Sequence, residues 1–192
     1  MSGIKGSSVA ATGMANTQFV GDNNQQISNT QIFLGQHSLT HSVVHDLLSF
    51  VYDNANAPAP ELKLENPVAL NPKLLFNNAP KYIHMISQCS EDFALVDSAM
   101  HGFPDSEKII KKLRLLFLDV AEYDENAQLV ISDGDSQLDA IKGKLAEIIQ
   151  GDLKYNPSKY PIEDIERFCV ALIACGVSKC IVLMKPENNV VD

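Results

Sequence analysis

The chain contains no tryptophan, and none of its four cysteines, Cys89, Cys169, Cys175 and Cys180, forms a CxxC pair. Without CxxC spacing there is no thioredoxin-like redox motif and no paired-thiolate zinc site. The thiols sit in apolar stretches such as FCVALIACG, which predicts buried, reduced cysteines. Basic residues are scarce, 15 against 24 acidic, giving a net charge of −9. Such a surface repels phosphate, so direct nucleic-acid binding is not expected. Also missing are an apolar run of the ~18 residues that span a bilayer and a secretory h-region in MSGIKGSSVAATG. A cytoplasmic protein with no membrane association is the expectation. No Gly-rich phosphate loop, GxSxG or HExxH occurs, so no enzyme and no cofactor is predicted.

What is present is a chain of 192 residues, 45% of them hydrophobic, enough for one globular domain and a tail. Its pattern divides at 1–37, 38–79 and 80–192. The first part is a flexible arm, small and polar up to about residue 18. It then becomes Asn/Gln-rich in VGDNNQQISNTQIFLGQ. Gly21-Asp22-Asn23-Asn24 is turn chemistry, and Ile27, Ile32, Phe33 and Leu34 are large apolar residues. A short β-strand or hairpin completed by another chain is expected there, with homo-oligomerisation through this arm.

Residues 38–53 carry Leu39, Val43, Leu47 and Phe50 at helical spacing. A connector containing Pro58, Pro60, Pro67 and Pro72 follows and forbids a long helix. From Pro80 onward the reading is a helical core domain. Pro80, Pro104 and Pro161 stand where helical patterns begin. Helices are predicted from Pro80 to Gly102, from Pro104 to about Tyr123, over 138–149 with a stop at Gly151, and from Pro161. The last becomes apolar on all sides and is predicted to be the central helix. The fold class is therefore mainly α, a helical bundle. AQLVIS (127–132) and KCIVLM (179–184) are strand-prone, which keeps a mixed α/β domain as the alternative.

Three constellations bear on chemistry. His37, His41 and His45 repeat every four residues, the spacing at which imidazoles on one helical flank share a metal. The three would span about 12 Å along the axis, too far for one ion without distortion. SDGDSQLD places its glycine too early for a calcium loop and reads as a turn with Asp135 or Ser136 capping the next helix. Lys108, Lys111, Lys112 and Arg114 form a basic cluster that suits a protein contact or pairing with Asp105 and Glu107.

The succession KIIKKLRLLFLDV, LDAIKGKLAEIIQ and IERFCVALIACGVSKCIVLMKPEN resembles the C-terminal-domain proteins of bacterial ABC-three-component defence systems. Cys180, Ile181, Pro186 and Glu187 fall where that family places a cysteine, an apolar residue and an acid beside proline. The Val182–Lys185 insertion departs from the usual ending, and no large effector domain precedes the helices. The resemblance implies a non-catalytic interaction subunit, docking through Cys180, Ile181, Pro186 and Glu187. Its partners would be an SMC-like ABC ATPase and a middle component or effector, in anti-phage or anti-plasmid defence. Two other readings follow from the residues alone: a metal-dependent enzyme or sensor using His37, His41 and His45, and a self-assembling protein driven by the arm.

Overall fold

The computed structural model describes residues 38–55, 70–179 and 181–186. The arm with Ile27, Ile32, Phe33, Leu34 and His37, most of the proline connector, Cys180 and Glu187 lie outside the described residues. Seven helices hold 68% of the described residues, and one two-stranded sheet accompanies them. The fold is mainly α.

Helix α1 (His41–Asp53) starts at Thr40, whose side chain accepts from the Val43 N–H at 3.3 Å. It buries Val44, Leu47, Leu48, Phe50 and Val51 in the same core as the helices after residue 80. Residues 38–53 are therefore part of the core domain, not an appendage to it. The short α2 (Leu70–Phe76) tolerates Pro72 because the first turn of a helix has no intrahelical use for that N–H.

The expected single helix from Pro80 to Gly102 is two helices, α3 (Pro80–Gln88) and α4 (Ser90–Gly102). Cys89 breaks them (φ −107°, ψ 25°), and Ser90-Glu91-Asp92 supplies the acids a helix start favours. Helix α5 (Ser106–Val120) begins two residues after Pro104, past Asp105 in the left-handed region (φ 57°), and buries Ile109, Ile110, Leu113, Leu116 and Phe117.

Strands β1 (Glu122–Tyr123) and β2 (Leu129–Val130) pair antiparallel, with Tyr123 opposite Leu129. Their turn is closed by the Asp124 carboxylate, which accepts from the N–H groups of Asn126 and Gln128. The strand tendency of 127–132 is thus realised in two residues. Of 179–184, the described residues form no strand: Lys179 caps the last helix, and residues 181–186 run on as irregular chain.

Helix α6 (Gly134–Gln150) starts earlier than Leu138, because Asp133 rather than Asp135 or Ser136 is its cap, accepting from Ser136 N–H at 3.0 Å. Asp135 is used elsewhere: its two carboxylate oxygens accept from the N–H groups of Lys81 and Tyr82, at 3.1 and 3.2 Å, and cap α3. In return the Asn78 carbonyl accepts from the Asp135 N–H at 3.3 Å. The two helix starts approach so closely that a Cβ on Gly134 would lie 2.0 Å from the Asn77 carbonyl oxygen.

Helix α7 (Ile162–Ser178) is buried at Ile165 and continuously from Arg167 to Val177, and it packs on all six other helices. It is the central helix its composition predicts. Beyond it the chain folds back, and Ile181, Val182 and Leu183 enter the core. Val182 sits against Gly176, where a Cβ would meet its methyl at 2.8 Å.

Charge enters this core only with partners. Asp92 of α4 is fully buried and Arg167 of α7 nearly so. Arg167 donates from Nε and Nη2 to Asp92 Oδ2, at 2.8 and 2.7 Å, and the Leu39 N–H donates to Oδ1 at 2.9 Å. One carboxylate thus joins α4, α7 and the chain entering α1.

Two stability effects follow. Replacing Gly134 with Ala forces the two helix starts apart, with a loss of about 1–3 kcal/mol. In a thermal melt this lowers Tm by roughly 2–4 °C for each kcal/mol. Asp92→Asn removes the carboxylate charge that faces Arg167 in the core and costs about 3–5 kcal/mol. Urea unfolding measures it, and the substitution Asp92→Leu with Arg167→Met recovers much of that loss.

Candidate groove and interaction surface

Helix α1 turns one flank outward. His45, Ser49, Tyr52 and Asp53 follow one another down it at helical spacing and line a groove of about 350 Å³. Phe103 and Pro104, in the turn between α4 and α5, and Lys154, from the α6–α7 loop, complete its lining. The rings make a corner: Phe103 lies 5.3 Å from His45 at 51°, and 5.8 Å from Tyr52 at 62°, centroid to centroid.

Cations already gather here. Lys108 Nζ stands 4.2 Å from the Tyr52 ring centroid, a cation–π distance. Lys154 Nζ contacts Asp53 Oδ2 at 3.0 Å, and that hydrogen bond holds its ammonium above the usual lysine range. A neighbouring tie fixes α1 to the same loop: Lys159 Nζ and the Tyr160 hydroxyl both donate to Asp46 Oδ2 at 2.9 Å. The Lys159 hydrogen bond keeps the Asp46 carboxyl below the ordinary carboxylate range.

A second surface is the outer side of α2. Lys73 and Leu74 are fully buried, and Lys73 Nζ donates to the Val177 carbonyl at 2.9 Å, a cation on the C-terminal turn of α7. Asn77 pairs with the returning chain like a strand neighbour. Its Nδ2 donates to the Met184 carbonyl at 2.8 Å, and its Oδ1 accepts from the Met184 N–H at 2.9 Å. Between these anchors Leu75 and Phe76 face outward, 61% and 49% exposed.

The residues singled out in the sequence are placed as follows. His41 and His45 stand one turn apart at the exposed edge of α1, and His45 belongs to the groove. Among the described residues no three His, Cys, Asp or Glu side chains come together to hold a metal. Ile181 does not offer a docking surface: it is core, and its carbonyl accepts from Arg114 Nη1 at 3.0 Å. An apolar run of that length suits a core strip as well as a surface, and here the core takes it. Pro186 is half-buried.

The basic cluster is divided. Lys108 goes to Tyr52, while Arg114 turns to Ile181 and to the Phe117 ring, and burial lowers its pKa from the ordinary arginine value. Sequence reading misses the groove because Tyr52 and Phe103 lie far apart in the chain. The one signal available was Phe103-Pro104, an aromatic in a helix-to-helix turn.

No protein-family model, curated protein or solved structure matches the chain. Among the described residues no helix is long and apolar enough to cross a membrane.

Cys89, Cys169 and Cys175 are buried and unbridged. Desolvation raises all three thiols, Cys175 to about 12, and opposes the thiolate needed for nucleophilic attack. Burial thus holds the folded-state pKa of Cys175 above the ordinary thiol range. The stability this gives is complete below pH ~9 and is lost as pH climbs from there toward about 12. The urea midpoint therefore falls across that alkaline window, and less steeply in Cys175→Ala. At pH 8 a disulfide reagent should leave at least these three thiols unreacted until denaturant is added.

Proposed function

We propose that the chain is a non-catalytic interaction and assembly subunit, working in the cytoplasm beside an SMC-like ABC ATPase in a bacterial anti-phage or anti-plasmid complex. The observation that carries the docking role is the Leu75–Phe76 pair. A helix of seven residues is too short to persist by itself. This one is pinned by the buried Lys73 and by the paired Asn77 amide, so the two apolar side chains are held in place on the outside. Burying such side chains fully gains about 1.5–3 kcal/mol each, and a partner can collect what the monomer leaves in water. The choice of partner is supported by the resemblance of the C-terminal helices to the ABC-three-component proteins.

Removal of the chain's end is a poor test, because Val177 and Ile181–Leu183 are core. The informative variant is Leu75→Ser with Phe76→Ser in the full chain. As exposed positions they should change folding stability by no more than about 0.5 kcal/mol each. Tagged wild-type protein should retain an SMC-like ATPase through purification from its own cells, and the double variant should hold it about tenfold more weakly or worse. Recovery of the wild type with no ATPase, or equal retention by the variant, rejects this reading. If sedimentation instead shows self-association that the double variant abolishes, Leu75 and Phe76 join copies of this chain, and the ATPase-docking reading fails.

A further inference from the structure

The groove between α1 and the α4–α5 turn has a use that the α2 surface does not explain. We propose that it binds the guanidinium side chain of an arginine presented by an exposed segment of a partner protein. The ring corner of His45, Tyr52 and Phe103 supplies flat π faces, and the Asp53 carboxylate stands on the same lining. Guanidinium is planar and weakly hydrated, stacks on aromatic faces, and offers a fork of N–H donors to a carboxylate. The volume, about 350 Å³, suits one long side chain and its backbone better than a folded element.

Two cations of the chain itself report the preference of the corner. Lys108 sits on the Tyr52 ring, and Lys154 sits on Asp53. The Lys154 side chain is 70% exposed, so its pair with Asp53 is weak and exchangeable. Lys154 is thus a resident competitor that an incoming arginine displaces. The net charge of −9 adds a long-range attraction for a basic segment. The docking role above supplies only the source of the arginine; the chemistry of the groove is testable with no partner present.

The test titrates the full chain with a capped, glycine-flanked arginine peptide, followed by two-dimensional amide NMR. The control is the same peptide carrying citrulline, which keeps the shape and loses the charge. Saturable shifts should gather on His45, Ser49, Tyr52, Asp53 and Phe103, with the citrulline peptide about fivefold weaker or more. Asp53→Asn should weaken the arginine peptide about threefold, and Lys154→Ala should tighten it by a similar factor, since the competitor is gone. Phe103→Ala should weaken it as well, and the dispersion of the same spectra reports whether each variant is folded. Equal binding of citrulline, weaker binding in Lys154→Ala, or no shifts at these residues overturns the proposal. The Lys154→Ala result is the sharpest, because it tells a lysine that competes for Asp53 from one that takes part in binding. None of these outcomes depends on the ATPase, so the two readings fail separately.

Discussion

From Arg167 to Val177 the last helix has no solvent face, and that constraint organises everything around it. A helix apolar on all sides must be surrounded, and α1 to α6 all pack on α7. The requirement reaches the ends as well. At its start Arg167 enters the core, and this is sustained only because Asp92 comes from α4 to meet it. At its end the outward-facing carbonyls need a donor, and Lys73 reaches in from α2 to provide one to Val177. The buried charges of Asp92, Arg167 and Lys73 are thus consequences of covering one helix.

The same constraint explains why the first helix and the irregular terminal stretch belong to the core. Leu39 donates its N–H to the carboxylate that neutralises Arg167, so α1 begins where the central ion pair is made. Gly176 leaves room for Val182, and Asn77 holds Met184 by both its amide groups. Segments with little regular structure are fixed by the needs of α7 and not by their own propensity.

The helices were legible where they followed local rules. Apolar spacing showed α1 and α5, Pro80 and Pro161 marked starts, Gly151 marked a stop, and the apolar run in 162–178 announced the centre. What was not legible was fixed by contacts distant in sequence. The break at Cys89 has no glycine or proline to advertise it, and its sense becomes visible once Asp92 is seen facing Arg167. Lys73 looks like an ordinary surface lysine until Val177 is placed above it. Asp135 reads as a cap for its own helix, whereas it serves α3 while Asp133 caps α6. The groove was half visible: His45 stood out, but for its spacing with His37 and His41, and the partner that matters to it is Phe103. Ile181 is ambiguous in the sequence, because an apolar residue there can serve a surface or a core equally well, and its burial decides for the core.

The exchange of caps between α3 and α6 bears on how the protein is made. As the chain emerges during synthesis, α3 appears long before Asp135 does, and the N–H groups of Lys81 and Tyr82 must meanwhile be satisfied by water. Helix α6 in turn settles against the Asn77–Asn78 backbone only when that turn is already in place. Helix α3 thus depends on α6 for its side-chain cap, while α6 carries its own in Asp133 and gains one backbone bond from the Asn78 carbonyl. A nascent chain halted before residue 133 would hold α3 without its cap, and a chaperone would meet it in that state.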